Sequence, residues 1–283
     1  MEASFDSFGA AVPASPVVLS VPHAGRDYPA TLPSLLRVPL PALRVLEDRH
    51  VDAVAHAARG DQAMLVQRLP RAWIDLNRGE DERDPLVDDG ARAPATRSAR
   101  LASGLGLVPR RVNGAGDLWR RKLTGAEVIA RIEHAHRPYH AALAAALAGA
   151  RERFGVAVLL DLHSMPPLGA GKARVVIGDR FGHAAAARFV ARAEATARDR
   201  TGLRVALNSP YAGGHILARH AVPPRGVHGI QLELDRSLYL DAKLDRPGPG
   251  LAATARMVRG VIAALEEEAF SISGTDALPL AAE

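Results

Sequence analysis

A chain of 283 residues can bury a large core, and its lack of cysteine excludes disulfides, thiolate metal sites and a cysteine nucleophile. Any bound metal must therefore be held by His, Asp or Glu side chains. The formal net charge is +5, yet the basic residues are almost all arginines interleaved with acids, and aromatic residues make up only 4%. This pattern favours a solvated charged surface over a nucleic-acid interface.

The N-terminal residues do not form a basic segment followed by an apolar one. No run approaches the roughly 18 apolar residues of a membrane helix. We therefore expect a cytoplasmic protein with neither a membrane nor a nucleic acid as partner.

The first half of the chain predicts two strands, two helices and a long irregular segment. Apolar runs predict strands over residues 16–22 and 63–67, with a helix over 40–59 between them and a short extended piece over 72–76. Residues 79–122 are rich in Gly, Pro, Arg and Asp; segments of this length are functional lids or disordered. Thr124 and Glu127 then form a capping-box pattern. The helix that they begin should reach about Arg153, with Pro138 as a kink or break.

The second half alternates between strands and helices. The pattern predicts strands over residues 156–162, 173–177, 203–207 and 228–234, and helices over 184–200 and about 251–270, followed by a frayed tail. Alternation of this kind is typical of an α/β sandwich with a mostly parallel central sheet. The length fits a single domain over residues 1–283.

Two histidines directly follow predicted strands. His23 ends the first strand, and Asp161 and His163 end the buried run of Val and Leu. Chemistry in open α/β sheets sits beyond the carboxyl ends of the strands, and imidazole suits zinc. A hydrolytic zinc site has three protein ligands, so the third should be a carboxylate: Asp48 or its neighbour Glu47. Asp161 is better placed to orient a ligating imidazole.

Glu233 is the candidate general base. Period-two alternation places it with Gln231 and Asp235 on one face of a strand, from which it could exchange a proton with a water and a leaving nitrogen. An edge strand with one wet face would produce the same pattern.

Several further residues could bind a substrate. Asn77 and Arg78 follow an extended segment, and an arginine there can clamp a carboxylate. Tyr211, Gly213 and Gly214 lie in a loop whose glycines permit close approach to a ligand, although a tight turn alone would also explain them. We interpret His136 and His140, four residues apart on a predicted helix, as structural or surface residues.

Seven ordered segments resemble the N-formylglutamate amidohydrolase family. They cover roughly residues 16–241: Ser20–Gly25, Trp73–Arg78, Arg137–His140, Asp161–Pro166, Gly178–Gly182, Pro210–Gly214 and Gln231–Tyr239. The resemblance implies a three-layer α/β/α sandwich with a mixed, mostly parallel sheet, like that of the zinc exopeptidases. It implies a zinc amidohydrolase that cleaves N-formyl-L-glutamate into formate and glutamate, a last step of histidine breakdown.

The same resemblance assigns roles to individual residues. It implies that His23, Asp48 and His163 bind one Zn²⁺ and that Glu233 is the general base. It also implies that Asn77 and Arg78 bind the carboxylate of the substrate. The alternatives are a zinc amidase acting on another N-acyl amino acid or small peptide, and a non-catalytic protein that binds an acidic metabolite.

Overall fold

The computed structural model describes residues 3–92, 98–112 and 114–275. Its strands are β1 (Phe5–Phe8), β2 (Val17–Val21), β3 (Ala63–Gln67), β4 (Arg111–Val112), β5 (Gly116–Asp117), β6 (Ala157–Met165), β7 (Val175–Gly178), β8 (Val205–Leu207) and β9 (Val227–Asp235). Its α-helices are α1 (Leu32–Leu35), α2 (Val51–Ala58), α3 (Ala99–Ala102), α4 (Gly125–Arg131), α5 (Arg137–Phe154), α6 (Ala187–Thr201), α7 (His215–His220) and α8 (Leu251–Thr275).

Seven of these strands form one mixed sheet in the order β1-β3-β2-β6-β9-β7-β8. The central strands β3, β2, β6 and β9 are parallel, whereas β1 and β7 run antiparallel to their neighbours β3 and β9. The carboxyl ends of the four central strands therefore meet at one edge of the sheet. The edge-strand alternative for residues 228–234 is wrong, because β9 pairs with β6 on one side and β7 on the other.

Helices cover both faces of the sheet, which confirms the three-layer α/β/α sandwich. Alternate residues of β6 point into two cores, with Val158 and Leu160 packing towards α2, α6 and α8, and Leu159 towards α4 and α5. Asp161 and His163 lie two and four residues after Leu159, so their side chains point to the same face of the sheet, the face covered by α5. None of the helices in the described ranges is long and apolar enough to cross a membrane.

The helix predicted over residues 40–59 is interrupted. A 3₁₀ helix covers Leu40–Leu46 and α2 begins only at Val51, because the intervening residues turn sharply and His50 adopts a left-handed φ of 56°. The extended piece predicted over residues 72–76 is likewise a pair of turns and not a strand. The last helix continues to Thr275; the rest of the predicted frayed tail, residues 276–283, lies outside the described residues.

The long helical segment after Thr124 begins with the predicted capping box. Its irregularity does not fall at Pro138 itself but just before it, where a π-helical turn, Ile132–His136, joins α4 to α5.

Two further 3₁₀ turns cover Pro223–Arg225 and Arg236–Leu238. The two-stranded hairpin of β4 and β5 lies within the irregular segment of residues 79–122.

Candidate active site

The site lies where β2, β6 and β9 end side by side. His23 follows β2 by two residues, and the parallel register of β6 and β9 sets His163 beside Glu233 and Asp161 beside Gln231. These side chains thus share one face at the carboxyl edge of the sheet, the position at which ligands bind in open α/β sheets.

Asp48 reaches the same point from the turn between the 3₁₀ helix and α2. Its backbone N–H donates to the carbonyl of His23 at 2.9 Å, which fixes the turn against the end of β2. Glu47 points elsewhere: its carboxylate accepts hydrogen bonds from Tyr28 and Arg49. The structure therefore brings Asp48, and not Glu47, next to the two histidines.

Three buried side chains converge in a geometry suited to a metal ion. His163 Nδ1 lies 2.9 Å and His23 Nδ1 lies 3.5 Å from the same oxygen, Asp48 Oδ2. One ligand atom from each of the three residues falls within 4.8 Å of the others. His23 Nδ1 is buried and has no hydrogen-bond partner among the described residues. An unpartnered imidazole nitrogen aimed at a carboxylate fits a zinc ligand.

The outer nitrogens of both rings are held by buried carboxylates. His23 Nε2 lies 2.7 Å from Asp75 Oδ1, and His163 Nε2 lies 2.9 Å from Asp161 Oδ2. Since a carboxylate accepts hydrogen bonds, each Nε2 carries a proton. Within the described part of the chain, His23 Nδ1 is left with an unpartnered lone pair, whereas His163 Nδ1 shares a proton with Asp48 Oδ2 that a bound cation would replace. This arrangement of carboxylate, histidine and inward nitrogen orients metal-binding imidazoles in proteins.

The charges around the three residues favour a cation. Burial alone would raise the pKa of Asp48, but hydrogen bonding to His163 holds it well below its usual range. Burial likewise opposes protonation of His163, yet the carboxylates of Asp161 and Asp48 raise its pKa well above the usual value. The site therefore stabilises positive charge at the point where the two Nδ1 atoms meet.

Glu233 is buried beside this group and differs from its acidic neighbours. Burial raises its pKa to about 7, with Asp48 adding to the shift and His163 opposing it. Its Oε1 accepts one hydrogen bond, from Gln231 Nε2 at 2.8 Å. A carboxyl group that titrates near neutrality can take up and release a proton, as a general base and acid must.

A cavity of about 390 Å³ opens onto His23, Asp48, His163 and Glu233. Five arginines line it: Arg71, Arg78, Arg100, Arg111 and Arg236. The irregular segment of residues 79–122 supplies Arg100, Ser103, Leu105, Arg111 and Val112, so it forms one wall of the cavity. Arginines outnumber acids in the lining, and the cavity is therefore suited to an anionic ligand.

Arg78 and Arg71 are held differently. Arg78 donates from Nε to Leu105 O at 2.8 Å and from Nη1 to Asn77 O at 2.6 Å, and burial lowers its pKa. Arg71 Nε donates to Asp75 Oδ2 at 2.8 Å, and the described residues give its two terminal nitrogens no hydrogen-bond partner. Although burial opposes its charge, the carboxylates of Asp75 and Asp48 raise the pKa of Arg71.

The loop with the paired glycines supports the site from behind. Tyr211 lines the cavity, whereas Gly213 and Gly214 are not in its lining. A Cβ at Gly214 would lie 2.3 Å from Asn77 Oδ1, so only glycine lets the loop pack against this amide. Asn77 Oδ1 in turn accepts the N–H of Ile216 at 2.9 Å. Gly214 thus positions Asn77, which faces the cavity, whereas Gly213 lies against Leu217 and Arg180.

The helical histidines are not surface residues. His136 and His140 are fully buried, and their Nε2 atoms face the carbonyls of Arg78 and Leu76 at 2.8 and 3.0 Å. They therefore hold the main chain that carries Asn77 and Arg78.

The family model of N-formylglutamate amidohydrolase matches residues 15–240 of this chain. The chain belongs to this family. It is 32% identical to an N-formylglutamate deformylase of Pseudomonas putida, over 80% of this chain and 82% of that protein. An N-formylglutamate deformylase of Pseudomonas aeruginosa is 28% identical, over 89% of this chain and 91% of that protein. The crystal structure of N-formylglutamate amidohydrolase from Ralstonia eutropha JMP134 superposes with a TM-score of 0.83 at 33% identity, covering 97% of this chain and 98% of that one.

Two residues of this amidohydrolase escaped the sequence analysis. Asp75 binds the outer nitrogen of His23, and Arg71 presents its guanidinium to the cavity. Asp75 stands two residues before Asn77, and Asp161 precedes His163 by the same interval. The position of Asp75 close to Asn77 could have indicated a role in the site. Its partner could not be read from the sequence, because His23 lies 52 residues away along the chain.

Proposed function

We propose that this amidohydrolase cleaves the formamide bond of N-formyl-L-glutamate, yielding formate and L-glutamate, with one zinc ion held by His23, Asp48 and His163. The observation that carries the proposal is the buried pair of Nδ1 atoms facing Asp48 Oδ2, with Glu233 beside His163. The deformylase names of the two Pseudomonas relatives support the choice of substrate. The reaction would supply glutamate at the end of histidine breakdown.

Zinc in such a site polarises a carbonyl and lowers the pKa of a bound water towards 7. Glu233 accepts the proton that the attacking water loses as its oxygen bonds to the formyl carbon. The same carboxyl group then donates this proton to the amide nitrogen as the C–N bond breaks. Its pKa of about 7, raised by burial, suits both directions of transfer.

Two arginines of the cavity, Arg78 and Arg71, match two anionic groups: a carboxylate of the substrate and the formyl oxygen as it gains negative charge. Arg78, held against two backbone carbonyls, binds one carboxylate with Asn77 beside it. The terminal nitrogens of Arg71 stabilise the negative charge that develops on the formyl oxygen. Tyr211 also lines the cavity.

The cavity volume constrains the alternatives. About 390 Å³ is near the lower end of the roughly 300–1,000 Å³ of ligand sites, so it suits a single amino-acid derivative better than a peptide. A buried Glu233 with a raised pKa next to a metal-type site also favours catalysis over mere binding of an acidic metabolite.

A substrate panel tests the proposal. We expect the zinc-loaded protein to release formate from N-formyl-L-glutamate with a higher kcat/KM than from N-formyl-L-leucine, which lacks the second carboxylate. N-acetyl-L-glutamate, with its larger acyl group, should be the poorer of the two glutamate derivatives. Preference for the leucine or the acetyl compound would assign the site to another N-acyl amino acid. Stoichiometric binding without turnover of any compound would contradict an enzymatic role.

A further inference from the structure

A second histidine cluster lies behind the substrate-binding segment. It comprises His136 at the end of the π-helical turn, His140 on α5 and His215 at the start of α7, with one ring nitrogen from each within 4.8 Å of the others. We propose that this cluster binds a second divalent metal ion of the zinc class, separate from the ion at His23, Asp48 and His163.

Backbone carbonyls fix which nitrogens of the first two rings are available. A carbonyl only accepts hydrogen bonds, so His136 Nε2, at 2.8 Å from Arg78 O, and His140 Nε2, at 3.0 Å from Leu76 O, both carry protons. Each Nδ1 therefore carries a lone pair: that of His136 has no partner among the described residues, and that of His140 accepts the N–H of His220. Ring nitrogens that ligate metals are usually oriented in this way, by donation from the opposite nitrogen to a carbonyl or carboxylate.

Two of the ring nitrogens are buried without a partner. His136 Nδ1 and His215 Nε2 have no hydrogen-bond partner among the described residues, although both atoms are shielded from solvent. A buried polar atom left unpaired is destabilising, so a ligand that satisfies both atoms together is favoured. Burial also lowers the pKa of His136, His140 and His215, which keeps the rings in the neutral form that binds metals.

His220 lies beside the cluster without belonging to it. Because His140 Nε2 carries a proton, His220 Nε2 donates its own N–H to His140 Nδ1 at 2.8 Å. An ion at the cluster would take the place of this donor at His140, with His136 and His215 as the other protein ligands and a water in the fourth position of a tetrahedral zinc site. Glu80 Oε1, 3.8 Å from His136 Nδ1, adds a nearby negative charge, although Arg137 shares it.

The local backbone is shaped to bring the cluster together. π-helical turns are rare and frequently mark functional sites, and the one here, Ile132–His136, ends on a cluster residue. An ion would link this turn and α5 to α7, whose second residue, Ile216, binds Asn77. The inference goes beyond the proposed function, because such an ion would hold the substrate-binding segment in place without contacting substrate.

Metal content provides the test. After loading with Zn²⁺ and removal of free ion, the wild type should hold two equivalents per chain, and both His163→Asn and His215→Asn should hold one. His134→Asn is the matched control: it alters the same π-helical turn but no cluster residue, and it should keep two. Wild-type protein with a single equivalent that His163→Asn abolishes would overturn the proposal and leave the cluster to a buried water.

A second variant and a second readout guard against a folding defect. His136→Asn should lose the same single equivalent as His215→Asn while its circular dichroism stays that of the wild type. In the His163→Asn background, Co²⁺ should give the visible absorption of a tetrahedral site, and adding His215→Asn should remove it. Unchanged cobalt absorption in the double variant would also overturn the proposal. Neither readout depends on deformylase activity, so failure here is distinguishable from failure of the proposed function.

Discussion

In each histidine of the candidate active site, a buried carboxylate holds the outer ring nitrogen, so the other ring nitrogen faces inwards. Asp75 holds His23 and Asp161 holds His163, and Ser20 Oγ in turn donates to Asp161 at 2.7 Å. The rings are thereby preorganised, so an incoming ion would not have to order them. Such partners of ligating histidines contribute roughly 10–100-fold to metal affinity.

Asp75→Asn should therefore weaken zinc binding by about 10–100-fold while leaving the fold intact, because Asn can still accept the His23 N–H but carries no charge. Chelator competition would measure the affinity, in the His215→Asn background so that only this site is counted. Asp179→Asn, another buried aspartate outside the cavity, should leave the affinity unchanged. Equal affinities for Asp75→Asn and its parent would exclude Asp75 from the metal site.

Glu233→Gln should bind zinc normally yet lose at least about 10²-fold in kcat, because the amide can neither accept nor return the proton. Formate release and metal content, measured on the same sample, separate the two effects. Glu194→Gln makes the same chemical change at a partly buried residue of α6 that pairs with Arg198 away from the cavity, and it should keep full activity. Retained turnover in Glu233→Gln would remove the general-base role.

At this scale the sequence predicted positions better than contacts. His23, Asp48, His163 and Glu233 were all candidates, and the structure brings them together. The choice between Asp48 and Glu47 depended on the turn at His50, which no periodic pattern in the sequence predicts. Gly213 and Gly214 were predicted to permit close approach to a ligand. The structure places Gly214 against Asn77 and Gly213 against Leu217 and Arg180, because a glycine requirement shows only that something lies close.

Among the elements, the interrupted helix before α2 matters most for the site. Its apolar spacing is close to helical on both sides of residues 47–50, so the sequence predicted one continuous helix. The break is fixed by a tertiary contact, the hydrogen bond from Asp48 N to His23 O. Strands such as β3, whose signal is a short buried apolar run between turn residues, were in contrast predicted to the residue.

The capping box of α4 gives a stability prediction at this scale. Thr124 Oγ1 accepts the N–H of Glu127 at 3.2 Å, and Glu127 accepts the N–H of Thr124 at 2.7 Å. Thr124→Ala should cost about 1 kcal/mol, or roughly 2–4 °C in Tm by thermal unfolding. Thr31→Ala is the control, since Thr31 stands at the start of α1 without a side-chain cap bond. Equal Tm values for the two variants would contradict the role of the cap.

For the whole molecule, the sheet order explains how distant segments share one site. β2, β6 and β9 are neighbours, although more than a hundred residues separate β2 from β6. The alternation of strands and helices predicted the sandwich, but not the order of its strands or the antiparallel β7. The strand order and the direction of β7 depend on how the connections cross the sheet. Packing in the two cores determines those connections, and local sequence patterns do not predict it.

The metal dependence of the proposed reaction can be measured as formate release from N-formyl-L-glutamate by one protein sample when it is zinc-loaded, when it is chelated, and after zinc is restored. We expect release by the loaded protein, loss of release on chelation and recovery on adding zinc, because the buried Nδ1 pair and Asp48 need an ion to act together. Full activity in the metal-free protein would contradict the metal-dependent mechanism. Absence of release from protein holding zinc at His23, Asp48 and His163 would contradict the proposed substrate.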